Sequence, residues 1–364
     1  MAFERGRDRN DRGAGKGRRE ARAAAAAKHI AEMEARFGRE IASSVAGIKE
    51  YDGMPKGAAC VRAKVPVAPA AAEETPAPVV DGAGEAAPAL VEASAASEPD
   101  APADAAPEHD DPAPELPAVS VVAADAVAAI IENGRGRAQF CDLAVLDFAS
   151  FTSAGGGYER GAWAQEEALC AESFLYNALT TKKDWYQWNR RRNLNCNLYR
   201  NRALVVPAVR FSRDKVHAYA DVIVAAAPNA ARAREEYGVA DDALARAMRD
   251  RIRFVLSVAD DLGHEKLVLG AFGCGAFGWD AEQVATMFFE ELAHGGHAAK
   301  QVVFAVPRTR FDENLATFEH VLGAFPELPG ETYAAASAAA RAAAEANATA
   351  DDDDDDDDDW RKYL

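Results

Sequence analysis

LAVLDFASFTSAGGGYERGAWAQEEALCAESFLYNAL, residues 143–179, passes from an apolar run through three glycines to paired glutamates and a second apolar stretch. Leu143-Ala144-Val145-Leu146-Asp147-Phe148-Ala149 is short and almost continuously apolar, which predicts a buried strand. Trp163–Leu179 has the length and apolar spacing of a helix, so Glu166 and Glu167 stand near a helix N-terminus just after a glycine loop. The pattern recurs downstream. The apolar run Lys266–Phe272 is followed by Gly273-Cys274-Gly275-Ala276-Phe277-Gly278 and then by a helical stretch from about Asp280 to His294. A further strand is expected over Gln301–Val306. Strands alternating with helices across 119–323 predict a three-layer α/β/α fold around a mixed, mostly parallel sheet, with ligand loops at the carboxyl ends of the strands.

Gly155, Gly156 and Gly157 have no β-carbon, so their backbone can take positive φ and a ligand can approach the main chain closely. The following helix start adds free N–H groups and a positive dipole end, which suit a phosphate. A triple glycine alone is more often a plain flexible turn than a ligand loop. Glu166 and Glu167 diverge by about 100° on a regular helix, yet at a helix start both can border one cleft. Alone, they would merely complement the helix dipole. Cleavage of a glycosidic bond in a phosphorylated sugar uses the glycines and the glutamates together. A helix start favours a charged carboxylate, so burial must act against the dipole if a general acid is to keep its proton at neutral pH.

Gly273 to Gly278 also satisfies the dinucleotide-cofactor fingerprint G-x-G-x-x-G. An oxidoreductase of that kind needs an acidic residue at the end of the next strand, whereas Gln301–Val306 ends in Pro307-Arg308. Arg308 suits a 2′-phosphate, but that reading leaves Gly155 to Glu167 without a role. Tyr158, Phe272, Phe277 and Trp279 either stack on a base or pack in the core, and core packing is expected of Phe272, Trp279 and Trp163.

Gly155-Gly156-Gly157 with Gln165-Glu166-Glu167, followed by Gly273 to Gly278, resembles the microbial-type poly(ADP-ribose) glycohydrolases, which are built on a macrodomain. Ala168-Leu169-Cys170-Ala171-Glu172-Ser173 with Leu175-Tyr176, and Asp221-Val222-Ile223 with Ala226-Ala227-Pro228-Asn229, are similar to the same branch. The likeness covers roughly 119–323, with a contribution from 28–66. It implies hydrolysis of ribose–ribose O-glycosidic bonds in poly(ADP-ribose), with ADP-ribose as product and no cofactor. Glu167 is then the catalytic acid and Glu166 holds ribose hydroxyls. Gln165, Gly155, Gly156, Gly157 and Asp147 line the ribose side, while Gly273, Cys274, Gly275, Ala276, Phe277 and Gly278 hold the diphosphate. Two departures stand out: Ser153-Ala154 replaces the Asn-Pro many microbial members carry, and Ser150 stands where larger enzymes have asparagine. A reader that binds ADP-ribose without cutting, or a hydrolase of mono-ADP-ribose, would use the same pocket.

Composition divides the 364 residues unevenly. Residues 1–27 read as a basic, disordered leader whose arginines could touch nucleic acid electrostatically. Residues 28–66 read as a helical part accessory to the catalytic domain at 119–325. Between them, 67–118 is a linker of alanine, proline and acids, and 326–364 is an alanine-rich tail ending in nine consecutive aspartates, Asp351–Asp359. Net charge is −18, but linker and aspartate run hold twelve and nine negative charges, leaving +3 elsewhere. The acidity therefore does not exclude an anionic substrate. Arg190-Arg191-Arg192 beside Trp185, Tyr186 and Trp188 reads either as a polyanion-binding cluster or as a solvated loop. Cys60, Cys141, Cys170, Cys196 and Cys274 lack metal-ligand spacing, as do His294 and His297, so no metal is expected. Scattered cysteines and the lack of a long apolar segment fit a bacterial cytoplasmic protein with no membrane contact.

Overall fold

The computed structural model describes residues 4–55, 114–192, 194–310 and 312–352. Nearly all of the expected acidic linker, most of the aspartate run and Cys60 lie outside them. In chain order the elements are α1 (Glu4–Ala46), β1 (Lys49–Asp52), β2 (Ala118–Val122), α2 (Ala126–Asn133), β3 (Leu143–Phe148), α3 (Gln165–Ala171), α4 (Leu175–Leu179), α5 (Lys183–Arg192), β4 (Arg202–Arg213), β5 (Val216–Ala225), α6 (Ala230–Tyr237), α7 (Asp241–Leu262), β6 (Lys266–Leu269), α8 (Ala281–Ala293), β7 (Gln301–Ala305), α9 (Asn314–Leu322) and α10 (Tyr333–Asp352).

The strands form one sheet in the order β1-β4-β5-β3-β6-β7-β2. β5, β3, β6, β7 and β2 pair in parallel, whereas β4 runs antiparallel to both β5 and β1. This is the mixed, mostly parallel sheet expected. An antiparallel strand inside it is foreign to a doubly wound cofactor fold, which removes the oxidoreductase alternative. Central β3 reads as an unbroken apolar run because both its faces are covered. Ala144 and Leu146 pack with Phe254 and Phe288 of α7 and α8, while Leu143 and Val145 pack with Ile130 and Leu169 of α2 and α3. Each such side chain contributes about 1.5–3 kcal/mol on full burial. Along α7, Leu244, Met248, Ile252, Val255 and Ala259 recur at helical spacing on the buried stripe, and Gly263 ends the helix at φ 71°.

The structure departs from the sequence reading at two helices, and its sheet carries one bulge. The helix expected over Trp163–Leu179 is two short ones, because Ser173 interrupts it: its hydroxyl donates to Leu169 O at 2.7 Å and accepts from Leu175 N at 3.0 Å. Helix α1 starts at Glu4 and kinks at Phe37, so the segment read as a leader from Glu4 onward is continuous with the helix after it. β4 and β5 slip register between Val206 and Val209. Pro207 has no N–H to give the ladder, and the N–H of Ala208, at φ 49°, turns to Asp221 Oδ1 at 2.8 Å. Asp221 also accepts from His264 and lies 3.5 Å from the Cys141 thiol, so one carboxylate closes the bulge.

Candidate active site

Gln165 begins α3 by completing the end of β3: its amide nitrogen donates to Leu146 O and its oxygen accepts from Phe148 N, each at 2.9 Å. That clamp aims the next two side chains at the strand's carboxyl end. Glu166 accepts from Ser150 N at 2.7 Å. Glu167 accepts from Gly157 N at 2.8 Å through one oxygen and from Ala164 N at 2.9 Å through the other. Both glutamates are buried, 4% and 6% exposed. Their carboxylates converge on Gly156 despite their helical divergence, because the glycine loop folds over them. Gly156, at φ 59°, leaves no room for a side chain, since a β-carbon there would lie 2.6 Å from Glu167 Oε1 and 2.8 Å from Glu166 Oε2.

Asp147, assigned from the sequence to the ligand surface, is wholly buried at the end of β3. Neither of its carboxyl oxygens nor Glu166 Oε1 has a hydrogen-bond partner among the described residues. Burial, and then the Glu167 charge, pushes Asp147 well above the usual carboxyl range. Burial, and then Asp147, does the same to Glu166. Asp147 therefore acts on the site by opposing charge on its neighbours.

The second glycine loop forms one wall of a cavity of about 700 Å³ that reaches Ala164 and Gln165. Gly273, Gly275, Ala276 and Phe277 line it, whereas Gly278 packs on Ala231 and Cys274 turns its thiol towards Phe272 O. Burial pushes the Cys274 thiol up, so it stays protonated. A β-carbon at Gly273, φ 81°, would lie 2.8 Å from the Trp279 ring, and that ring is fixed by its N–H donating to Pro228 O at 2.7 Å. Phe272 and Trp279 are core, as expected, whereas Trp163, also expected in the core, is exposed and lines the cavity with Phe277.

Sequence reading missed the facing wall. Arg213 donates to Asp125 at 3.0 Å and forks onto Glu172, and all three line the cavity. Hydrogen bonds to Glu172 push the Arg213 guanidinium above its usual value despite its burial. Asp125 also caps α2 by accepting from Ala128 N at 2.9 Å, and a cap before an apolar run is a visible signal. Its partner lies 88 positions away, beyond any local pattern. The supports of the two glycine loops were equally hidden. Tyr199 stacks on Phe151 with ring centroids 4.5 Å apart and meets Phe277 edge-on at 6.4 Å. It sits in a left-handed run with Asn195, Cys196 and Asn197. Arg251, buried beneath, donates to Asn201 Oδ1 at 2.7 Å, to the carbonyls of Leu198 and Tyr199 at 3.3 Å, and to Ala226 O. On the other side of the first loop, Arg19 Nε of α1 donates to Arg160 O at 2.9 Å and Asn177 donates to Ile30 O at 3.1 Å.

The Arg190 cluster lies on helix α5, not on a loop. Trp185 and Tyr186 are buried and unavailable for stacking; Trp188 is exposed.

A seven-stranded macrodomain-type sheet carrying buried paired glutamates under one glycine loop, with a second glycine loop lining the cavity that reaches Gln165, defines a glycoside hydrolase for ADP-ribose-like ligands. Comparison with known proteins agrees. The family description "Microbial-type PARG, catalytic domain" matches residues 84–214. Poly(ADP-ribose) glycohydrolase of Thermomonospora curvata, solved with the inhibitor ADP-HPD, is similar at 25% identity over 82% of this chain and 98% of that one, with a TM-score of 0.57. A threonine-to-arginine variant of the Deinococcus radiodurans enzyme, solved with ADP-ribose, is 31% identical over 57% of this chain and 84% of that one, with a TM-score of 0.50. No curated protein sequence matches. The chain belongs to the microbial-type poly(ADP-ribose) glycohydrolase family.

Proposed function

We propose that this protein hydrolyses ribose–ribose O-glycosidic bonds of poly(ADP-ribose), releasing ADP-ribose. The observation that carries the mechanism is the pair Glu166 and Glu167, buried side by side and held by backbone N–H groups of the loops that precede α3. Glu167 protonates the leaving ribose oxygen as positive charge develops on the anomeric carbon of the ribose that stays bound, then takes a proton from the water that attacks that carbon. Glu166 holds ribose hydroxyls, and Gln165 fixes the turn that presents both. The diphosphate lies along the backbone of Gly273, Gly275 and Ala276, with Phe277 against a ribose. Binding of ADP-ribose by the Deinococcus radiodurans relative supports that placement. Ser150 does not favour a non-cutting reader, because Glu166 is held by the backbone N–H of residue 150, which any residue but proline supplies.

The test is incubation of wild type and Glu167→Gln with labelled poly(ADP-ribose), the products resolved by chromatography. Wild type should release free ADP-ribose, and Glu167→Gln should be slower by about 10²–10⁴-fold while still binding product. Equal rates would remove Glu167 from the mechanism. The unpaired cysteines Cys141, Cys170, Cys196 and Cys274 support a reducing, cytoplasmic setting, and the relatives' bacterial sources support a bacterial one. Among the described residues no helix is long and apolar enough to cross a membrane. Nucleic-acid contact by the basic N-terminus has no support in the relatives.

A further inference from the structure

Gly156 has two sides. Its missing side chain faces Glu166 and Glu167, and the residue also walls a separate cavity of about 180 Å³ with Ser153, Arg160 and Arg190. That cavity shares Ala154 and Arg190 with a neighbour of about 300 Å³, which runs on past Lys183 and Gln187. Together they form a groove that starts at the catalytic loop and leads away along α5.

The groove is basic by construction. Lys183, Gln187 and Arg190 are spaced i, i+4 and i+7, so they share one face of α5, and all three are exposed. Arg160 enters from the glycine loop. Each arginine donates to a loop carbonyl, Arg160 to Gly156 O at 3.1 Å and Arg190 to Thr152 O at 2.7 Å, and a guanidinium carries five N–H donors. Glu159 also lines the smaller cavity but hydrogen-bonds Tyr176, so three cations face one engaged carboxylate.

We propose that this groove holds the diphosphate of the ADP-ribosyl unit on the leaving side of the scissile bond, so that the protein grips its polymer on both sides of the cut. The inference rests on the hydrolase reading above. In poly(ADP-ribose) the leaving oxygen belongs to a ribose whose own 5′ carbon carries a diphosphate, so an anion must emerge a short run of bonds beyond the catalytic loop. The groove's cations begin at that loop, and the guanidinium forks match phosphate geometry. A target polypeptide in the same groove would gain nothing specific from such cations unless it were acidic.

The experiment uses the full chain with Glu167→Gln to prevent turnover, and measures affinity for labelled ADP-ribose dimer and for free ADP-ribose. The dimer should bind about tenfold tighter, the effect of added charge-assisted hydrogen bonds to phosphate. Lys183→Glu, at an exposed site, should erase most of that advantage while free ADP-ribose binds as before. Arg190→Gln should do the same and should lower the slope of log affinity against log salt by about 0.7 for each phosphate it ceases to neutralise. Equal affinities for dimer and monomer, or a Lys183→Glu protein that keeps the advantage, overturn the groove. Cleavage of the same dimer by the protein with Glu167 intact reads the hydrolase assignment separately. Release of ADP-ribose without groove-dependent binding sinks the groove alone; groove-dependent binding without release sinks the hydrolase alone.

Discussion

The phenol oxygen of Tyr158 lies 3.0 Å from Nδ1 of His29, a hydrogen bond across 129 positions that fastens helix α1 to the loop folded over Glu166 and Glu167. Burial holds His29 below the ordinary value of 6.5, against the pull of Glu32 and Glu172. The imidazole is therefore neutral and Tyr158 is the donor. Protonation removes the acceptor, so stability from this hydrogen bond is complete above pH 6.5 and declines as pH falls from there towards the lower folded value. Tyr158→Phe should cost about 1 kcal/mol in thermal or denaturant unfolding and lower kcat more than affinity for ADP-ribose. A variant whose acid sensitivity below pH 6.5 matches wild type would show that His29 is not the titrating group.

Gly156→Ala tests whether the loop's shape is imposed by the carboxylates. The new β-carbon meets both of them within 2.8 Å, and φ 59° strains any L-residue. Backbone strain of this kind costs about 1–3 kcal/mol. Misplacing the catalytic groups by about 1 Å costs about 10²-fold in rate. Single-turnover cleavage of labelled polymer should fall by at least that factor, with ADP-ribose affinity in the main cavity retained. A near-wild-type rate would mean that the loop opens freely.

Asp147 and Glu166 make the site costly to the fold. Both carboxyls are raised, first by burial and then by charge, Asp147 by Glu167 and Glu166 by Asp147, so the folded protein binds more protons than the unfolded chain, and stability falls as pH rises above the ordinary carboxyl range. Glu166→Gln keeps an oxygen for Ser150 N and places an amide beside unpartnered carboxyl oxygens. It should be more stable than wild type at pH 7 by about 0.5–2 kcal/mol, the usual size of a stabilising replacement, and inactive or nearly so. Urea melts at pH 5 and pH 8 decide it: the gain must be larger at pH 8.

How much of the fold and site is legible in the sequence follows the range of each interaction. β3, β6, β7 and both glycine loops could be placed because unbroken apolar runs and glycines at strand ends are local signals. The closeness of Glu166 and Glu167 to the first glycine loop could be read because the motif lies within a few turns of chain. Ser173 splitting the helix is also local, yet its effect depends on a hydroxyl choosing backbone over solvent, which periodicity does not register. Asp147 looked like a ligand contact because its motif is adjacent to the glycines, whereas its charge environment depends on layers that meet only in the fold. Arg213 with Asp125, and Tyr158 with His29, pair residues from distant segments. No pattern within one segment encodes them.

Arg251 carries the most testable of those distant pairings. It is 1% exposed, and burial pulls its guanidinium down to about 10, which leaves it charged at neutral pH. Among the described residues it meets no carboxylate at hydrogen-bond distance; its donors go to the carbonyls of Leu198, Tyr199 and Ala226 and to Asn201. Those bonds hold the left-handed run that points Tyr199 between Phe151 and Phe277. Arg251→Met fills similar volume but leaves several acceptors without a donor, at about 1–3 kcal/mol for each one that stays dry. The protein should lose at least about 3 kcal/mol. If enough folded material remains, its affinity for ADP-ribose should drop, because Phe277 loses its brace. Arg251→Lys offers fewer donors and should fall between the two. A stable Arg251→Met protein with unchanged ADP-ribose affinity would show that the left-handed run is held by its own turns, and that Tyr199 needs no support from below.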